Sequence, residues 1–147
     1  MKKITIISIS LAITVLVLTR CAEEGCQNPN AINYCSECTK DGEACIFEAD
    51  VTFYHDSTTA ANLLTDNFGT LFYYIGDSLI GSANASEFFS EAPECGDSKA
   101  VSGKARLERA VDIVRYSIRD GHNTEIMHDV VELKSKECQL IYLHYFN

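Results

Sequence analysis

From Asp50 onward the apolar residues fall in short runs separated by turn signals, and most of those runs alternate. Val51-Thr52-Phe53-Tyr54 is β-branched and aromatic, places Val51 and Phe53 on one face, and meets a turn signal at Asp56-Ser57. After a polar stretch from Asp56 to Asn67, Thr70 to Ile75 and Ser78 to Ile80 flank Gly76-Asp77. A two-residue connection led by Gly suits a type II′ turn, so the segment predicts a hairpin. Leu71, Tyr73 and Ile75 share one face of its first strand, and Phe72 and Tyr74 share the other, a pattern that suits the middle of a sandwich. Ala85 to Phe89 fits no single pattern, and Ala92 to Asp97 reads as a loop by its Pro and Gly.

Between 107 and 118 two periods compete. Leu107, Ala110, Val111, Val114 and Ile118 keep helical spacing, whereas Val114 to Ile118 alternates and runs through the turn Asp120-Gly121-His122-Asn123 into Thr124 to Met127. The alternating reading gives a second hairpin. Cys138 to Phe146 alternates again, with Leu140, Tyr142 and His144 against Ile141, Leu143 and Tyr145, and predicts a buried strand. Together these elements predict a mainly β domain over 49–147, a small antiparallel β-sandwich.

The N-terminus breaks this pattern. Lys2-Lys3 precede an uncharged stretch from Ile4 to Thr19, the order of a secretory signal peptide over 1–20. That stretch is shorter than the roughly 20 apolar residues of a bilayer span. Leu18-Thr19-Arg20-Cys21 resembles a bacterial lipobox, with Arg20 standing where that motif has Gly, Ala or Ser. The resemblance implies a diacylglycerol on the Cys21 sulfur, and so a membrane-lipid anchor. Ala22-Glu23-Glu24 resembles the signal by which one group of Gram-negative bacteria sends lipoproteins to the outside of the outer membrane, so a surface-exposed, outer-membrane location is expected.

Six cysteines remain beyond Cys21, an even number in a chain expected to leave the cytosol, which favours disulfides. Cys26, Cys35, Cys38 and Cys45 lie in a segment, 21–48, too short and polar to bury a core, so covalent links must replace burial there. Zinc is the rival, because Cys35 and Cys38 form one Cys-x-x-Cys pair, yet a second such pair is lacking and an oxidising compartment competes for the thiolates. Gly25-Cys26-Gln27-Asn28-Pro29-Asn30-Ala31-Ile32-Asn33-Tyr34, followed by Asp41-Gly42 and Cys45-Ile46-Phe47, resembles a short module of bacterial surface and secreted proteins in which two cysteines pair. The resemblance implies Cys26 with Cys45, which leaves Cys35 with Cys38. The later Cys138 is available to Cys95.

Residues 49 to 146 resemble the β-sandwich domains, immunoglobulin-like or prealbumin-like in shape, that follow this module in short lipoproteins. Ala49 to Tyr54, Tyr74 to Gly81, Ala92 to Gly96 and Glu137 to Leu140 carry the likeness. It implies a fold and no particular activity.

Charge narrows the partners. Lys2, Lys3 and Arg20 precede Cys21, while all 21 acids follow it, so the remaining chain sets nine basic residues against 21 acidic ones. Without a basic cluster to release counterions, nucleic acid is not an expected partner. Gly76-Asp77-Ser78-Leu79 matches the motif of an esterase family whose Ser is the nucleophile, which makes Ser78 the candidate for an alternative hydrolase function. Its base would come from an Asp-x-x-His, which the chain lacks; Glu125-Ile126-Met127-His128 is the nearest substitute, in a strand where residues three apart face opposite sides. His55, His122, His128 and His144 show no metal-ligand spacing, and neither a metal nor a cofactor is expected. The expectation is therefore a non-enzymatic envelope lipoprotein whose candidate partners, besides lipid, are an envelope protein or a glycan.

Overall fold

A computed structural model describes residues 24–42 and 44–146. It is mainly β, with two sheets sharing one core. Two-residue strands β1 (Glu24–Gly25) and β2 (Lys40–Asp41) pair within the cysteine-rich segment. There follow β3 (Phe47–Tyr54), helix α1 (Ser57–Thr65), β4 (Thr70–Ile75), β5 (Ser78–Asn84) and β6 (Val101–Leu107). The last three strands are β7 (Val111–Arg119), β8 (Glu125–Lys134) and β9 (Cys138–Tyr142). One sheet has the order β6-β3-β9 and the other β5-β4-β7-β8.

Alternation explains the layers. Phe47, Ala49, Val51 and Phe53 of β3 are all buried, as are Leu71, Tyr73 and Ile75 of β4 on the facing sheet. Phe53 joins the two layers, its ring centroid 5.4 Å from Tyr73 and 5.8 Å from Tyr116 of β7. Burial of side chains of this size contributes roughly 1.5–3 kcal/mol each, which is the main force holding the sheets together. Phe72 and Tyr74 are only half-buried, so β4 turns one face to the core and the other outward. Arg119 covers that outer face at Tyr74, with its guanidinium 4.6 Å from the ring centroid.

The β4–β5 hairpin turns at Gly76, whose φ of +56° is the left-handed value that a leading Gly of a type II′ turn requires. Gly81 and Gly103 serve a different end. A Cβ at Gly81 would sit 2.9 Å from Val101 Cγ1, and one at Gly103 would sit 2.8 Å from Ile80 Cγ2. Their bare backbones let β5 and β6, which belong to different sheets, close one side of the sandwich.

The second hairpin forms, since the alternating residues of β7 pair with β8 over its whole length and with β4. Three expectations change. The polar stretch after Asp56 contains α1, capped by the Asp56 carboxylate, which accepts from Thr59 N at 2.8 Å. Strand β9 ends at Tyr142 and is buried at Ile141 alone, although Leu143 beyond it returns to the core. It also runs parallel to β3, where an antiparallel sheet was expected. The Ser135–Glu137 connection carries the chain from β8 across to the other sheet at the end where β3 begins, so both strands set out in the same direction.

The domain thus has two unlike ends. At the start of β3 lie the cysteine-rich segment and the short turns at 76–77, 108–110 and 135–137. Lys136 fastens them there, donating from N to Glu48 O at 2.8 Å and from Nζ to Pro29 O at 2.6 Å. At the other end, past Tyr54, lie α1, the long 85–100 connection and the chain's last residues.

Candidate functional site

Cys21, expected to carry lipid, lies outside the described residues. The six later cysteines form three disulfides. Cys26 meets Cys45 with Cα atoms 5.0 Å apart, Cys35 meets Cys38 at 5.4 Å, and Cys95 meets Cys138 at 6.3 Å. Four thiols that zinc would need are therefore consumed, and among the described residues no group of His, Cys, Asp and Glu is placed to hold a metal. Asn33 braces the first link, accepting from Ile46 N at 2.8 Å and donating to Ala44 O at 2.9 Å. Cys26 and Ala31 are wholly buried with the sandwich core, so the module packs onto the β domain.

Cys95–Cys138 lies across the outer side of β3. Thr52 points to that side yet is wholly buried, because the Cys95–Gly96 loop covers it. Its hydroxyl accepts from Gly96 N at 3.0 Å and lies 2.9 Å from Ser102 Oγ.

Ser78 heads β5 and is exposed. Strands β5 and β8 are the opposite edges of one sheet, three strand spacings or roughly 14 Å apart, so Ser78 does not meet His128. His144 follows β9 in the other sheet. Glu125 and His128, however, do come together. A register shift pairs Ile118 with Met127 but Arg119 with Glu125, which leaves Ile126 as an extra residue and turns Glu125 and His128 to the same side. His128 Nδ1 lies 2.9 Å from Glu125 Oε1, and Arg115 Nη2 donates to the same oxygen. Arg115 above all holds the Glu125 carboxyl below its usual range.

Next to His128 in register is Ser117, which the sequence did not single out. Among the described residues, its hydroxyl is the buried side-chain oxygen or nitrogen that lacks a hydrogen-bond partner. The order carboxylate, imidazole, hydroxyl is that of a nucleophile relay. Ser117 is 1% exposed, however, and closed beneath its neighbours, so no acyl group reaches it.

A broad concave surface is at the far end of the sandwich. A groove of about 700 Å³ runs between the end of β5, the 87–90 loop and the 97–101 segment. His55 braces the loop behind it: the buried imidazole Nε2 lies 3.4 Å from Ala85 O, and Phe89 N donates to His55 O at 2.9 Å. Burial pushes the His55 pKa down, which favours the neutral ring. Asp97 shapes the opposite wall, its Oδ1 accepting from Lys99 N at 2.9 Å. Phe88 stands on the rim with 54% of its surface exposed. From Phe89 a strip of rings continues along the surface through Tyr54, Tyr142, His144 and Phe146, with centroids 6.5, 5.3, 5.9 and 3.9 Å apart in turn. Tyr142 is tied to the helix cap, its hydroxyl donating to Asp56 Oδ2 at 2.8 Å.

No family model, curated protein or solved structure matches this chain.

Proposed function

We propose that the chain is an exported envelope lipoprotein, held to the outer membrane by acyl groups on Cys21, whose sandwich acts without catalysis as a binding module at the cell surface. The observation that carries the reading is that every cysteine after Cys21 is in a disulfide. Such complete pairing suits an oxidising compartment and leaves Cys21 as the thiol for lipid. The two-ended architecture supports it: the segment that follows Cys21 packs at one end, and the long connections and exposed rings occupy the other. The reading as a serine hydrolase gains nothing from the separation of Ser78 from His128.

Intact mass and peptide mapping of membrane-extracted protein, before and after reduction and with free thiols labelled, test the proposal. The expected result is a chain beginning at acylated Cys21 with no labelled thiol. Retained Met1, an unmodified Cys21, or label on Cys26, Cys35, Cys38 or Cys45 before reduction would overturn it.

A further inference from the structure

We infer that the groove between the 87–90 and 97–101 segments is a binding site for a neutral glycan chain, with Phe88 as the ring on which a sugar stacks. This deepens the binding reading above by naming a ligand class, and it rests on that reading only for the cellular setting.

The lining decides the class. Phe88 presents a flat apolar face at the rim of a groove in which Ala83, Phe89, Ala100 and Val101 alternate with serines and charged side chains. The C–H face of a pyranose is also flat and apolar, and its slightly positive hydrogens suit the negative face of an aromatic ring. Around that ring the hydroxyls of Ser82, Ser90 and Ser98, the Glu87 carboxylate and the Lys99 ammonium line the groove and make no hydrogen bond or ion pair with any described residue. Serine both donates and accepts, carboxylates accept, and an ammonium donates. A sugar carries vicinal hydroxyls that each donate and accept, so it can use all of these groups at once. An apolar peptide side chain would leave without a partner each of them that it sealed from water, which is unfavourable.

Charge and shape restrict the class further. Glu87, Asp97 and Lys99 give the lining a net negative charge, on a chain whose formal net charge is −9. A polyanionic glycan or a nucleic acid is repelled from such a surface. A volume of about 700 Å³ is within the usual range for small-ligand sites. Beyond it the strip from Phe89 to Phe146 offers further rings, with Tyr142 41% and Phe146 78% exposed, so that a chain longer than one or two sugars has surface to follow.

The test uses acylated protein in a zwitterionic detergent without a sugar head group, since a glycosidic detergent would compete. Neutral hexasaccharides of glucose, mannose, galactose and N-acetylglucosamine are titrated up to about 10 mM, well past a millimolar dissociation constant, while backbone amides are followed by NMR. At least one should shift the Phe88, Ser98 and Lys99 amides saturably. Phe88→Ala should then weaken binding by about tenfold, equivalent to 1.4 kcal/mol. Lys99→Met should weaken it less, and Ile113→Ala, at an exposed site of β7 that does not line the groove, should leave it unchanged. Because Phe88 is exposed, the variant keeps its fold, which unchanged shifts elsewhere will show. The assignment is overturned if none of the four sugars shifts the groove amides, or if Phe88→Ala binds as the parent does. Shifts of those amides by a protease-sensitive component of an envelope extract, with none from the sugars, would replace glycan by protein. In each case the mass of the Cys21 peptide reports separately on the tether.

Discussion

Removing the cross-links one at a time separates what each contributes, and the expected magnitudes follow from the loops they close. Cys95–Cys138 spans 43 residues, Cys26–Cys45 spans 19, and Cys35–Cys38 spans three. Restricting the unfolded chain by loops of those lengths corresponds to about 4, 3.3 and 2 kcal/mol in the chain-entropy treatment. Cys26 is wholly buried, so its replacement by Ala also leaves a small cavity and brings the first two values together. The informative contrast is therefore Cys95→Ala/Cys138→Ala, at about 4 kcal/mol, against Cys35→Ala/Cys38→Ala, at about half that. Thr52 adds a sharper test. Thr52→Val removes the acceptor of Gly96 N and the partner of Ser102, at about 2 kcal/mol for two buried hydrogen bonds. Once the 95–138 link is gone, the Cys95–Gly96 loop is free to lift from β3 and find water. The same substitution should then cost less than about 1 kcal/mol, a coupling of at least about 1 kcal/mol between neighbours. Urea unfolding of the five proteins, the parent included, followed by far-UV circular dichroism without reductant, measures both quantities. Equal costs for the long and short links would refute the loop argument, and an additive double-mutant cycle would refute the claim that Thr52 works through the loop the disulfide anchors.

Two further outcomes follow from buried His55 and the sandwich's closed side. The lowered pKa of His55 means that the folded chain holds fewer protons than the unfolded one, so its contribution to stability is complete above the ordinary value of 6.5 and is lost as pH falls through the folded pKa. Melting temperature should decline from pH 6.5 toward 5 in the parent and less in His55→Gln, whereas Asp56, Asp120 and Glu125, whose pKa values are lowered from 3.8, 3.8 and 4.5, should add their loss only below about pH 4.5. Parallel curves for the two proteins between pH 6.5 and 5 would sink this assignment. Gly103→Ala forces a methyl to within 2.8 Å of Ile80 Cγ2, on a β-branched side chain with little freedom to yield, and should destabilise by about 1–3 kcal/mol in the same urea assay; an unchanged midpoint would show that β5 and β6 are not held in close approach.

The sequence was most readable where local chemistry and burial agree. The hairpin at Gly76-Asp77 needs only a positive φ and two alternating flanks, and the turn at 120–123 ends with Asn123 at φ +64°, a conformation Asn tolerates. Strand β6 is harder to read, although Val101, Ala105 and Leu107 alternate into the core. Gly103 occupies the fourth inward position, and the missing side chain that lets β5 approach also removes the apolar mark that reveals a strand. Helix α1 hid for a related reason: it buries only Thr59, Ala60 and Leu63, too narrow a stripe to stand out among polar residues, although Asp56 followed by Ser-Thr-Thr carried its cap. The meeting of Glu125 with His128 depends on the extra residue Ile126, which nothing in a strictly alternating pattern announces. The groove is less legible still, since Ser82, Phe88 and Lys99 come from segments that only tertiary pairing aligns.

The distribution of loop length argues that the two ends of the sandwich answer to different demands. Turns beside the cysteine-rich segment are short and fastened, with Ser135 N donating to Ala110 O at 2.8 Å and Lys136 bonded to both Glu48 and Pro29. At the other end, beside the short 120–124 turn, the connection 55–69 holds α1 and the connection 85–100 is irregular and holds the exposed ring of Phe88, and such a long irregular segment on a rigid scaffold is where binding residues collect. Strand β3 links the two ends, and its eight residues span roughly 23 Å. Under the tether proposed at Cys21, the anchored end and the groove would stand up to about 23 Å apart, beyond the roughly 8 Å over which charge is felt at physiological salt, so that the groove would sample ligand outside the reach of charge at the anchored end.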